Sequence, residues 1–227
     1  MNAEPIHAIR TRKCRILLVD DHPILHAALR DSLLPHPDLE MCGVARTSKE
    51  ALQGASELQP DLALVDLSLP DAHGLQLIKQ LRELHPNLRL LVFSMHDENV
   101  YGERALRAGA DGYVMKNASV KSVVEAIRTV LAGEIAVSPA LSARLLQNAT
   151  GRKPLNHGSS LVDILSDREL EVFQAIGHGN STKEIAARLD RSVKTIETHR
   201  LRIKQKLNIR SNGQLIARAA CWVNESK

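Results

Sequence analysis

The sequence predicts an α/β domain, a doubly wound five-stranded parallel sheet, followed by a small all-α domain of four helices. Three observations predict it. Up to Gly133, short uninterrupted apolar runs alternate with helix-period segments, as strands buried on both faces of a parallel sheet require. After that the alternation stops, and the remaining segments have helical period with serine at their starts. Charge divides at the same place: residues 1–135 hold 15 Lys+Arg against 18 Asp+Glu, and residues 136–227 hold 15 against 8. A mildly acidic front and a strongly basic back imply two modules, the second facing a polyanion or carrying a solvated basic surface.

The expected strands are Arg15–Val19, Met41–Ala45, Asp61–Val65, Arg89–Phe93 and Gly112–Met115. Helical segments follow each one: Pro23–Leu34, Ser48–Leu58, Leu75–Leu84, Val100–Ala108 and Ser119–Leu131, each ending near Gly, Pro or Asn. Five repeats of strand and helix imply right-handed crossovers. Ser138–Gln147 can hold one more short helix, and Asn148–Ser160, NATGRKPLNHGSS, has linker composition. In the back half, Ser166 with Glu169, Ser181 with Glu184 and Ser211 with Gln214 fit the capping box, while Ser192 caps a helix without such a partner. The expected organisation is a tail at 1–14, a first domain at 15–135, a linker with a short helix at 136–163 and a second domain at 164–227.

Composition excludes several classes. No apolar run approaches the roughly 18 residues of a membrane span, and the first thirteen residues lack a signal peptide's apolar stretch, so a cytoplasmic protein without a membrane partner is expected. Cys14, Cys42 and Cys221 are too few and too scattered for a disulfide framework or a zinc site. Five aromatics argue against a stacking platform for single-stranded nucleic acid, leaving duplex binding open.

In an open parallel sheet, ligands bind beyond the carboxyl ends of the strands. Asp20 and Asp21 end the first expected strand, Asp66 the third, Ser94 the fourth and Lys116 the fifth, so distant residues converge on one pocket. Three carboxylates together call for a cation, and an oxygen-rich site with few ligands suits Mg²⁺ completed by water. Asp66 can then act as nucleophile towards a phosphoryl group, with Lys116 offsetting its charge and Ser94 donating a hydrogen bond. Singly, each residue also has a duller reading as a cap or a surface charge. His22 and His26 have a metal-binding spacing but no evident third ligand.

The strings ILLVDDHP (16–23), VDLSLPDAHG (65–74), VFS (92–94) and GADGYVMK (109–116) resemble the receiver domain of bacterial two-component response regulators, a flavodoxin-like fold. The resemblance covers about 15–135. It implies that Asp66 is the phosphoacceptor, that Asp21, Asp66 and the Ser68 carbonyl ligate Mg²⁺, and that Asp20 helps through water. It also implies that Ser94 and Tyr113 are a switch pair, the ring turning inward as Ser94 moves. Asn117 departs from the subgroup, which commonly has Asp there, and a modest effect is expected because Lys116 is kept.

Across Ser192–Leu207, Val193, Ile196, Ile203 and Leu207 fall on one side, while Lys194, Glu197, Thr198, Leu201, Arg202 and Gln205 form the other. An exposed Leu among polar and basic residues fits a major groove, where it can meet a thymine methyl while Thr or Gln reaches base edges. Thr182–Leu189 precedes this helix across a short turn, giving helix-turn-helix geometry. Lys183, Arg200, Lys204, Lys206 and Arg210 are assigned to phosphates of double-stranded DNA, Arg200 lying nearest the core side. A four-helix bundle with a solvated basic face is the alternative from pattern alone.

Residues 165–207 resemble the LuxR-type helix-turn-helix, and the two halves together are similar to the NarL/FixJ class of response regulators. The resemblance implies a sensor histidine kinase as phosphodonor, a homodimer on activation and RNA polymerase as a candidate contact. It also implies dimerisation through the last helix, where Leu215, Ile216, Ala219 and Val223 make an apolar stripe whose default reading is core. Asn212 and Gly213 are weak helix formers in its first turn, and Trp222 is expected to pack against that helix. An enzyme is not expected: Mg²⁺-dependent phosphatases with an aspartyl phosphate resemble D-x-D, and position 68 is Ser.

Overall fold

The computed structural model describes residues 12–149 and 164–225. The expected linker from residue 150 to 163 and the tail up to residue 11 therefore lie outside the described residues. Five strands, β1 (Cys14–Val19), β2 (Leu39–Ala45), β3 (Leu62–Val65), β4 (Arg89–Ser94) and β5 (Gly112–Met115), form one sheet in the order β2-β1-β3-β4-β5. All four pairings are parallel, with the register shifting once between Ile16 and Leu17. The helices α1 (Pro23–Leu33), α2 (Ser48–Leu58), α3 (Gly74–Leu84), α4 (Glu98–Ala108) and α5 (Val120–Leu131) link and cover the strands. The expected fold class is borne out, with ends displaced by two residues at most.

Alternation within each strand builds two cores. Ile16, Leu18, Leu62, Leu64, Leu91 and Phe93 pack with α1 and α5, whereas Leu17, Val19, Ala63, Val65, Leu90 and Val92 pack with α2, α3 and α4. Burying both faces explains why these strands read as unbroken apolar runs. The order places the switch point between β1 and β3, where crossovers leave the sheet in opposite directions and open a crevice at the strands' carboxyl ends.

Helix α6 (Pro139–Ala149) packs on α4: Arg144 Nη1 donates to the Asn99 carbonyl at 2.7 Å, and the Ser138 N–H donates to Glu98 Oε1 at 2.9 Å. The segment expected to link the domains thus begins as part of the first one, and Ala136 even adds a parallel bridge to Gly112.

The second unit comprises α7 (Asp167–Gly177), α8 (Thr182–Arg188), α9 (Val193–Lys206) and α10 (Asn212–Glu225). Ser166 with Glu169 and Ser181 with Glu184 form complete capping boxes. At Ser211 the reciprocal bond is displaced: Gln214 N–H donates to Ser211 Oγ, but Gln214 Oε1 accepts from Arg210 N–H. With both ends of this turn held, α10 forms despite Asn212 and Gly213. Its Leu215, Ala219 and Val223 are buried, and α10 packs chiefly on α7. Trp222 belongs to α10 itself and sets its ring 5.8 Å from Phe173 of α7, not against its own helix as expected.

Candidate functional site

The residues expected to converge do so. Asp20 follows β1, Asp66 follows β3, Ser94 ends β4 and Lys116 follows β5, because equal register across parallel strands brings their ends to one level. Asp66 is 2% exposed. Its Oδ1 accepts from Ser94 Oγ at 2.7 Å and its Oδ2 from Lys116 Nζ at 2.7 Å. Lys116 also lies 2.6 Å from Asp20 Oδ2. Burial alone would lower the Lys116 pKa, but the Asp66 and Asp20 carboxylates outweigh it and raise the group above its ordinary value, so it stays charged.

One ammonium among three carboxylates leaves negative charge uncompensated. Ligand atoms of Asp20, Asp21, His22 and Asp66 lie within 4.8 Å of one another, with His22 Nδ1 2.8 Å from Asp21 Oδ1. Hard oxygen donors with spare lone pairs at this spacing fit a divalent cation such as Mg²⁺. Ser68 belongs to the same loop, its hydroxyl 2.9 Å from His96 Nε2. The loop turns into α3 at Gly74, where any Cβ would collide with the Asp66 carbonyl, so only glycine lets the helix start this close to the acid.

Tyr113 differs from its expected resting state. Its ring is already inside, 3% exposed, and its hydroxyl donates to the His96 carbonyl at 2.7 Å. Burial and then the Asp66 charge raise its pKa far above the ordinary value, so it remains a donor.

His96, which sequence reasoning missed, lies where the two units meet. Its ring is tilted against Tyr101 with centroids 4.7 Å apart, and its Nε2 is 3.6 Å from Glu171 Oε1 on α7. Glu171 is 1% exposed and also pairs with Arg168 at 2.6 Å. Burial by itself pushes this carboxyl up, but the bond to His96 and the charge of Arg168 together hold it down to about 2. His73 is buried beside them and pushed down to about 4 by desolvation, so it is neutral. Around this centre, Arg104 Nη1 donates to Asp167 at 2.6 Å and its Nη2 to the Leu165 carbonyl at 2.9 Å. Tyr101 reaches Gln174 at 3.4 Å, Arg168 the Leu69 carbonyl at 3.3 Å and Arg191 the Asp71 carbonyl at 3.0 Å.

Helix α9 presents Lys194, Glu197, Thr198, Leu201, Arg202 and Gln205 outward, as expected, with Leu201 52% exposed. Lys183 and Arg210 are exposed too. The other basic residues are tied: Arg200 donates to Thr182 Oγ1 at 3.2 Å, Lys204 to Asn212 Oδ1 at 3.1 Å, and Lys206 to Glu169 Oε2 at 2.6 Å. Of the stripe expected to dimerise, Leu215, Ala219 and Val223 turn into the domain's own core, leaving Ile216 exposed at 48%. The three buried residues pack as the default reading of that stripe expects, and Ile216 stays on the helix surface.

A phosphoacceptor-type acidic pocket on a doubly wound sheet, joined to a helix-turn-helix unit, defines a two-domain signalling protein that binds DNA. Residues 16–128 match the response regulator receiver domain, and residues 163–219 match the luxR family of bacterial regulatory proteins. The chain is 35% identical over 206 residues to the oxygen regulatory protein NreC of Staphylococcus carnosus, covering 89% of this chain and 94% of NreC. It is 33% identical over 219 residues to the nitrate/nitrite response regulator protein NarL of Escherichia coli K12, covering 93% and 95%. In fold it is similar to RcsB of Salmonella enterica serovar Typhimurium, solved bound to a promoter with a phosphomimetic, at TM-score 0.61 and 24% identity over 92% of this chain and all of that one. The chain belongs to the NarL/FixJ-class response regulators with a LuxR-type DNA-binding domain, a family of phosphorylation-controlled transcription regulators.

Proposed function

We propose that Asp66 accepts the phosphoryl group and that its capture frees the DNA-binding domain through His96. The observation that carries the reading is the chain of contacts Asp66, Ser94, His96, Glu171, which runs from the phosphoacceptor to a buried charge on α7. One Asp66 carboxylate oxygen attacks phosphorus, and the bond to the donor, a phosphohistidine of a sensor kinase, breaks with the electron pair leaving on the donor nitrogen. Asp21, Asp66 and the Ser68 carbonyl, with Asp20 through water, would hold a divalent cation that would supply charge neutralisation for the phosphoryl oxygens. Lys116 and Ser94 transfer their hydrogen bonds from Asp66 to those oxygens.

As Ser94 Oγ moves, the backbone at 94–96 follows. His96 N–H lies 3.4 Å from Ser94 Oγ, and the His96 carbonyl carries the Tyr113 hydroxyl. The His96 ring then withdraws from Glu171, leaving a buried carboxylate with one partner fewer, and the interface loses a central contact. The released domain reads DNA with Lys194, Glu197, Thr198, Leu201, Arg202 and Gln205 of α9. Lys183, Arg200, Lys204, Lys206 and Arg210 position it on phosphates, as a homodimer spanning two half-sites and in contact with RNA polymerase. The proposed units are 15–135 and 164–227, with a tail at 1–14 and a joining segment at 136–163 whose helix α6 packs on α4 of the first unit. Among the described residues no helix is long and apolar enough to cross a membrane, which accords with action in the cytoplasm.

The test is selection from a random duplex pool at fixed salt, with and without Mg²⁺ and a small phosphodonor. Paired half-sites should be enriched mainly in the phosphodonor arm, and Asp66→Ala should abolish both that difference and phosphate uptake. Equal enrichment in both arms, or phosphate gained at another residue, would refute the reading.

A further inference from the structure

His73 caps α3 through its ring: Nδ1 accepts from the Leu75 N–H at 3.3 Å. That bond needs the lone pair on Nδ1, so the proton of the neutral ring sits on Nε2. The residue is 5% exposed, with Tyr101 stacked at 6.1 Å, and among the described residues nothing accepts from Nε2. A buried donor so placed calls for an acceptor. It is no metal ligand, because Nε2 holds a proton where a lone pair would be needed.

The ring lines a cavity of about 220 Å³ between the receiver and the DNA-binding unit, several times the ~30 Å³ that one water occupies in the liquid. From α9, His199 lines it too, its Nδ1 buried without a partner among the described residues. Burial lowers the pKa of this ring, so it is neutral and has one proton to place there. Arg168, Arg191 and Gln76, whose amide can donate, extend the wall. Arg191 gives one N–H to the neutral Asp71 carbonyl and meets no carboxylate within ion-pair distance among the described residues. Asp71, the one carboxylate among the described lining residues, turns both oxygens to the start of α2, where they accept from Ser48 and Lys49. Donors facing a cavity whose acid is engaged elsewhere suit a ligand that brings acceptors and negative charge.

We infer that this cavity binds a small oxyanion, a phosphate or a short-chain carboxylate, with its oxygens on His73 Nε2–H, His199 Nδ1–H and the Arg191 guanidinium. Because both units supply the wall, the ion binds the docked pose and not the released domain, and so opposes opening. That consequence rests on docking gating DNA binding, as proposed above; occupancy needs only the docking itself.

The test uses the unphosphorylated full chain labelled with ¹⁵N-histidine, at neutral pH without Mg²⁺. Inorganic phosphate and acetate are titrated separately against chloride at equal ionic strength and followed by nuclear magnetic resonance. Wild type should show His73 as the Nε2–H tautomer, with saturable shifts at His73 and His199, and the ion that produces them identifies the source. His73→Asn keeps an oxygen to cap α3 but lacks the Nε2 donor, and should weaken binding about tenfold; His199→Leu, on the other unit, should do the same. At about ten times its wild-type dissociation constant, the ion should lower DNA affinity about tenfold beyond chloride in wild type and about twofold in either variant. His73 found as the Nδ1–H tautomer, no shift at either histidine with either ion, or undiminished binding in both variants overturns the inference. Shifts without a loss of DNA affinity leave the site standing and overturn the gating instead.

Discussion

Glu171 keeps its charge where burial alone would neutralise it, so its partners act against desolvation. The sign of the pH dependence follows. Undocked, the carboxyl takes up a proton near its ordinary 4.5; docked, it refuses one until about 2. Its stabilising contribution is thus complete above about 4.5 and lost progressively as pH falls towards 2. Glu171→Gln should flatten that part of a stability-against-pH curve and, at neutral pH, weaken docking by about 1–3 kcal/mol. Denaturant titration followed by Trp222 fluorescence across the acid range measures both. A curve unchanged by the substitution would count against His96 and Arg168 as its partners. None of this was legible in the sequence: within SDRELEV the residue reads as one more charge on a first turn, and only docking buries it. Asp20, Asp66, Ser94 and Lys116 were legible, because a parallel sheet brings strand ends together whatever lies between them.

At the scale of elements, caps carried the most information. Serine starts placed α7, α8 and α9 within a residue, whereas the four-residue stripe on α10 could not distinguish a core from a dimer face. Packing of α7 on α10 buries three of the four, and Gly177 shows how closely. A Cβ there would lie 2.5 Å from the Ala219 carbonyl, so Gly177→Ala should lower thermal stability of the DNA-binding domain by about 1–3 kcal/mol, measured by calorimetry. On α9 the roles separate by chemistry. Thr198, whose hydroxyl now bonds the Lys194 carbonyl at 2.9 Å, can turn to a base edge; Lys204 cannot read one. Thr198→Ala should shift sequence preference, while Lys204→Ala should weaken specific and random DNA alike and reduce the salt slope by about one. Binding titrations at several salt concentrations distinguish them, and identical effects of the two changes would refute this division.

For the whole molecule, the interface favours α7 and the turn before α9 over the exposed face of α9. In the proposed function, inhibition by the receiver would depend on a docked pose more than on covering the reading residues. Arg104, with two bonds to the start of α7, is the point at which to loosen it. Arg104→Ala, removing a partly buried ion pair, should shift closed towards open by about 1–2 kcal/mol and raise DNA affinity of the unphosphorylated protein roughly five- to thirtyfold. Small-angle scattering should show the accompanying expansion, and unchanged affinity with unchanged dimensions would mean that the contact does not gate binding.

The docked surfaces belong to one chain, joined through residues 150–163, and this changes how strong the contact has to be. A short tether presents the second domain to the receiver at an effective concentration on the order of millimolar. A mutual affinity far too weak to hold two separate molecules together is therefore enough to keep one molecule closed, and a modest loss on phosphorylation is enough to open it. Cutting the chain within 150–163 should then release the DNA-binding fragment from inhibition at micromolar protein, with no change to any residue that touches the interface.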